Sequence, residues 1–165
     1  MQTMNFLKAT SAAAFTGHRY VPYEKCPLLK GQIKLAIYNS YAQGIRNYYC
    51  GMAIGFDMLA AETVLEMKTQ LHDIALSAVV PYRNQNERFS PSAQSRYTTI
   101  LNKADHVIVL NEEYHTRCFF ERNDYMVDRA SLLIAYFDGT PKGGTFYTCS
   151  KAKSKGMPIN NLYTL

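Results

Sequence analysis

The chain has 165 residues, with 18 Lys and Arg against 13 Asp and Glu and a formal charge of +5. At 47% apolar and 19% charged it is too apolar to stay disordered, and no stretch approaches the ~20 apolar residues of a membrane-spanning helix. The length suits one domain spanning residues 1–165, and the mild positive excess favours anionic partners without defining a nucleic-acid surface.

Apolar segments alternate in type along the chain. Ala12-Ala13-Ala14-Phe15 is a short apolar run stopped by Thr16-Gly17, as in a buried strand followed by a turn. Residues 28–43 carry Leu29, Ile33, Ala36, Ile37 and Tyr41 at helical spacing, with Gly44 as the stop. Residues 47–50 read as a strand and 57–71 as a helix. Residues 74–80 read as a strand ended by Pro81. Ser90-Pro91 opens a further helix. Residues 105–110 form the clearest apolar run. Then come a helix over 120–130, a strand over 132–137, a helix opened by Gly143-Gly144-Thr145 and a short strand from Pro158-Ile159. Continuous apolar strands are buried on both faces, as in a parallel sheet. Strict alternation with helices predicts a doubly wound α/β fold, a mainly parallel sheet covered by helices on both faces.

Cys26, Cys50, Cys118 and Cys149 form no C-x-x-C pair, which fits free thiols in a reducing, cytoplasmic setting. Ser11-Ala12-Ala13-Ala14 resembles a signal-peptidase site, but the residues before it hold no apolar core of ~7–15 residues. The four histidines are scattered, and no metal-ligand spacing is visible. Neither a metal nor a cofactor is expected. Lys151, Lys153 and Lys155 suit the solvated last turns of a helix.

In open α/β sheets, ligands bind beyond the carboxyl ends of the strands. After the first strand comes Thr16-Gly17-His18-Arg19. Its Gly permits close approach, Arg19 offers a fork for phosphate or carboxylate, and His18 is a donor or general acid. The alternative is a turn with a solvated Arg and a packed His. After the second strand, Gly51 and Gly55 sit at a helix mouth, where N–H groups face an anion. This is neither G-x-G-x-x-G nor a P-loop. Asp57 is either the N-cap or a carboxylate that holds sugar hydroxyls. Glu62 either turns toward the same cleft or lies on the helix surface, the commoner place for a carboxylate. After the third strand, Tyr82 suits stacking on a base and Arg83 suits a phosphate. The stretch onward to Ser90 is either a mobile lid or an ordinary loop. After the fifth, Asp138-Gly139-Thr140-Pro141-Lys142 leads into Gly143-Gly144-Thr145, a phosphate cradle or a capping turn. The polar stretch 122–129 precedes a strand, so Asn123 and Asp128 reach the cleft only if their helix packs beside it.

These motifs, in order, resemble the YpsA-like family of unknown function. The matching segments are Thr16-Gly17-His18-Arg19, the stretch from Gly51 to Glu62, Pro81-Tyr82-Arg83-Asn84-Gln85, residues 122–128, Asp138-Gly139 and Gly143-Gly144-Thr145. The family sits in the SLOG superfamily with LOG-type nucleotide hydrolases and DprA-like proteins. The resemblance implies a Rossmann-like fold and a nucleotide or ADP-ribose-like ligand. In that reading Gly51, Gly55, Gly143, Gly144 and Thr145 meet phosphate, Arg19 and Arg83 clamp charge, Asp57 holds sugar hydroxyls and Tyr82 stacks. The LOG-type motif P-G-G-x-G-T-x-x-E departs here to Lys142-Gly143-Gly144-Thr145 with no following Glu. A nucleotide N-glycosidase would therefore rely on Glu62 or Asp57 as its catalytic carboxylate. DprA-like nucleic-acid binding is a third reading, which the modest charge disfavours. The many Tyr and Phe suit either a homo-oligomer interface or core packing.

Overall fold

The computed structural model describes residues 11–165. The expectation about a leader falls on residues 1–10 and lies outside the described residues. The elements run β1 (Ser11–Gly17), a 3-10 turn (Tyr23–Lys25), α1 (Cys26–Ala42), β2 (Ile45–Cys50), α2 (Phe56–Met67) and β3 (Ala75–Val80). They continue with α3 (Pro91–Lys103), β4 (His106–Val109), α4 (Cys118–Arg129), β5 (Leu132–Tyr136), α5 (Gly144–Ser154) and β6 (Ile159–Asn161).

All neighbouring strands pair in parallel, in the order β4-β3-β2-β1-β5-β6. The fold is a Rossmann-like doubly wound α/β sheet. The chain steps outward from β1 to β4, then crosses back to place β5 on the other side of β1. The switch in strand order therefore falls between β1 and β5, where Gly17 stands in register with Tyr136. Ligands collect at that point in open sheets because the loops diverge there and leave a crevice.

Helices cover both faces. Leu29, Ile33 and Ile37 of α1, Met58, Ala61 and Val64 of α2, and Tyr97 and Ile100 of α3 form the larger core cluster. Met126 and Val127 of α4 with Cys149 and Ala152 of α5 close the other face. Ala12 through Thr16, Leu76 through Val80 and Leu133 through Tyr136 are buried without alternation, as central parallel strands require.

Local chemistry sets the element ends. Gly44 follows α1 with φ 100°, a left-handed stop that glycine adopts without steric cost. Ser90 caps α3 by accepting from the Ala93 amide at 3.3 Å, with Pro91 at the first helical position. The 105–110 run departs from expectation. Its strand is the short edge strand β4, and Val107 is 45% exposed, because a sheet edge lies beyond full helix cover. Asp105 precedes that strand and accepts from the Leu76 amide at 2.8 Å while pairing with Lys68. The Lys151 and Lys155 ammonium groups are not merely solvated. Lys151 bridges Asp124 and Asp128, and Lys155 joins Asp128.

Candidate functional site

A cleft of about 420 Å³ opens at the switch point. Thr16, Gly17, His18 and Arg19 supply one wall, and Ala53 and Asp57 the floor. Phe119, Phe120, Arg122 and Asn123 of α4 form the far wall, and residues 142–145 the mouth. The entrance to α5 is open. No side chain caps it, and its first intrahelical bond runs from the Tyr147 amide to the Gly143 carbonyl at 3.1 Å. The amides of Gly144, Thr145 and Phe146 precede that bond, so the helix presents donors and its positive dipole end. Gly143 adopts φ 92° to turn the chain into the helix, and no atom lies within 4 Å of where its Cβ would stand. Exposed Lys142 stands beside it.

Asp57 occupies the second position of α2, after Gly55 as N-cap. Oδ2 accepts from the Ala53 amide at 3.2 Å. Oδ1 is buried and has no hydrogen-bond partner among the described residues. Burial pushes the carboxyl up to about 6, against the opposing pull of Arg122, the Ala53 amide and Arg19. A buried acceptor left unpaired costs roughly 1–3 kcal/mol.

Arg122 is also buried. Nη1 donates to the Gly51 carbonyl at 2.5 Å and approaches Gln85 Oε1 at 3.3 Å; Nε donates to Asn123 Oδ1 at 2.8 Å. Gln85 Nε2 in turn donates to the Met52 carbonyl at 2.8 Å. These bonds pin the turn after β2, where fully buried Met52 takes φ 61°, a conformation of a non-glycine residue that local contacts must enforce. Arg19 and Arg122 flank the ring of Phe119, with guanidinium carbons 5.2 Å and 5.6 Å from its centroid. Arg19 has no ion-pair partner among the described residues.

The structure brings together Thr16, Gly17, His18, Arg19, Asp57, Gly143, Gly144 and Thr145. Six of the expected residues lie outside the cleft lining: Gly51, Gly55, Glu62, Tyr82, Arg83 and Asp138. Gly51 and Gly55 do not line the cleft. A Cβ on Gly51 would stand 2.7 Å from Arg122 Cδ, and one on Gly55 would stand 2.4 Å from the Arg19 backbone. Close packing, against a side chain at Gly51 and against backbone at Gly55, thus calls for glycine at both positions. The same holds for Gly17 against Phe56, at 2.4 Å. Arg83 is bound on the surface by Glu112 through bonds of 2.6 and 2.7 Å, outside the cleft. Glu62 pairs with Arg96 between α2 and α3, away from the strand ends, because its place on α2 faces α3. Asp138 buttresses His18. Its Oδ1 lies 3.1 Å from His18 Nε2, which accepts from the Asp138 amide at 2.9 Å. Tyr82 lies in a side chamber off the cleft.

Arg122 and Asn123, which precede a strand in sequence, enter the cleft because α4 crosses the opposite sheet face beside α5. Asp128 instead faces Lys151 and Lys155. A larger groove, about 640 Å³, runs between α2 and α3. Most of its charges are answered locally, Glu62 by Arg96, Lys68 by Asp105 and Glu66 by Lys30 and Lys34, and exposed Lys103 is the one charged lining residue with no ion-pair partner among the described residues. Among the described residues no group of three or more His, Cys, Asp or Glu is placed to hold a metal, and no helix is long and apolar enough to cross a membrane.

The fold and cleft define a Rossmann-like α/β protein with an uncapped helix entrance at its switch point. The YpsA family model, described as the YspA SLOG family, matches residues 20–163, and the chain belongs to this family. A UPF0398 protein of Bacillus cereus strain B4264 is 30% identical over 105 residues, covering 62% of this chain and 57% of the relative. One from Bacillus thuringiensis strain Al Hakam is 29% identical over the same length. The match thus spans under two thirds of those relatives. Among solved structures, DNA processing protein A of Helicobacter pylori, described for its single-stranded DNA binding mode, superposes with a TM-score of 0.61. Identity is 15%, over 91% of this chain and 64% of that one. The structural-genomics target TM1055 superposes at 0.55 with 11% identity, over 90% and 72%. Both likenesses speak to the fold.

Proposed function

We propose that the chain binds a nucleotide or nucleotide-derived, ADP-ribose-like ligand in the switch-point cleft, as a sensor or sequestering protein. Phosphate sits on the α5 entrance, against the amides of Gly144 and Thr145 and the charges of Lys142 and Arg19. The sugar lies toward Asp57, whose unpaired Oδ1 accepts from a hydroxyl. That orphan oxygen is the observation that carries the reading, since it asks for a donor on a ligand whose other end is anionic. The test is calorimetry of ADP-ribose and nucleoside monophosphates on the native chain and on Lys142→Ala. Binding that weakens about tenfold in the variant supports the reading, and no heat with any member of the panel rejects it.

A hydrolytic reading has one observation in its favour. Asp57 is the carboxylate in the cleft, and a carboxyl held near 6 suits proton transfer at neutral pH. With Glu62 turned to Arg96, N-glycosidic cleavage would fall to Asp57 alone. Incubation with nucleoside monophosphates and chromatography for free base distinguishes this activity from binding. DprA-like binding of nucleic acid would show affinity falling steeply with salt, whereas a small ligand held by a few donors would show a shallow dependence.

A further inference from the structure

A second chamber, about 160 Å³, shares Arg19, Ala53 and Phe119 with the main cleft, so the Arg19–Phe119 pair stands between the two. Aromatic walls shape it. Tyr82 meets Phe119 edge to face at 6.1 Å, and Phe89 lies across it, held against Tyr97 at 5.8 Å. Ile54 completes the apolar lining. Such walls fit a flat ring.

The polar side chains around the chamber are unevenly matched. Arg19 and Arg88 bring guanidinium groups, which only donate, and neither has an ion-pair partner among the described residues; the Tyr82 hydroxyl, which both donates and accepts, is a neutral polar group beside them. No carboxylate lines the chamber. The Gln85 amide is already engaged, its Nε2 with Met52 and its Oε1 with Arg122. A ring that presents acceptors along one edge would satisfy these donors. A ring that presents an amino group to a guanidinium would set donor against donor.

We infer that the side chamber takes a planar heteroaromatic ring with an acceptor edge, and that it selects 6-oxopurine over 6-aminopurine nucleotides. The inference rests on the proposed phosphate site, since the ring reaches the chamber as part of a ligand anchored in the main cleft. The O6 and N7 acceptors of a 6-oxopurine match two N–H groups of one guanidinium, the pairing that Arg makes with guanine in DNA. The 6-amino group of adenine replaces one acceptor by a donor.

Calorimetry with inosine monophosphate, adenosine monophosphate and ribose 5-phosphate tests this on the full chain. The expected result is inosine monophosphate binding at least about tenfold tighter than adenosine monophosphate, the order of discrimination of a bidentate Arg contact. In Arg88→Ala the two nucleotides should bind within about twofold of each other; Arg88 is exposed, so the variant should keep its thermal midpoint. Equal or reversed preference in the native chain overturns the inference, as does a preference that survives Arg88→Ala. Ribose 5-phosphate separates the two levels. If it binds while the nucleotides show no preference, the chamber assignment fails and the phosphate site stands. If none of the three binds, the phosphate site fails and the chamber assignment with it.

Discussion

Asp57 holds a carboxyl where the fold would be more comfortable without a charge. Burial lifts it from 3.8 to about 6, so between those values the native chain holds the proton more firmly than the unfolded chain. The associated stability is fully present below about pH 4 and is lost as pH rises through about 6. Asp57→Asn keeps an acceptor for the Ala53 amide and removes the charge. It should raise the unfolding free energy above pH 6, by up to about 3 kcal/mol, since each tenfold change in proton affinity is worth about 1.36 kcal/mol. The gain should shrink toward pH 4. Denaturant unfolding across pH 4–8 checks the direction. A loss of stability at neutral pH would mean that Asp57 supports the fold through Arg122. In the same variant nucleotide affinity should fall, the trade expected of a residue kept for function. Asp57 is legible in sequence because an acidic residue at a glycine-flanked helix mouth has few roles. Arg122 is not, because its place depends on α4 crossing to the other face, and no local spacing records that.

The three turns that build the cleft are interlocked by close backbone passage. The Phe56 amide donates to the His18 carbonyl at 3.1 Å, and the His18 amide donates to the Tyr136 carbonyl at 3.2 Å. The ends of β1 and β5 and the start of α2 thus form one unit. Gly55 is its tightest point, with φ 82° and the Arg19 carbonyl oxygen 2.4 Å from where an added Cβ would stand. Gly55→Ala should therefore destabilise by more than the ~1 kcal/mol of an ordinary glycine replacement, read as a drop in thermal midpoint. The same change at Gly139 meets no atom within 4 Å although φ is 90°, so it should carry only the backbone strain. A similar loss at both positions would contradict the interlock. Sequence marks these glycines as special but not for which reason, since ligand approach and chain approach call for the same residue. The strand reading succeeds for β1, β3 and β5, where continuous apolar runs are central. The β4 strand lies where expected but is more exposed than its apolar run implies, because such a run does not reveal whether helices reach as far as its place in the sheet.

At the scale of the whole molecule, the net charge of +5 matters less than where charge is left unanswered. The α2–α3 groove is larger, but both of its acids, Glu62 and Glu66, are already paired with bases. The switch-point cleft gathers Arg19, Arg122 and Lys142 against the single carboxylate of Asp57, beside an uncapped helix entrance. Field lines converge on such a concave site with a net positive excess and favour an anion there. Amide chemical-shift mapping during titration with ribose 5-phosphate, which carries the phosphate and the sugar without a base, tests this placement most directly. The largest shifts should fall on Gly144, Thr145 and Phe146, with smaller ones at Ala53 and His18. Shifts centred on Glu62, Arg96 and Lys103 of the α2–α3 groove, or no shifts at saturating ligand, would contradict it.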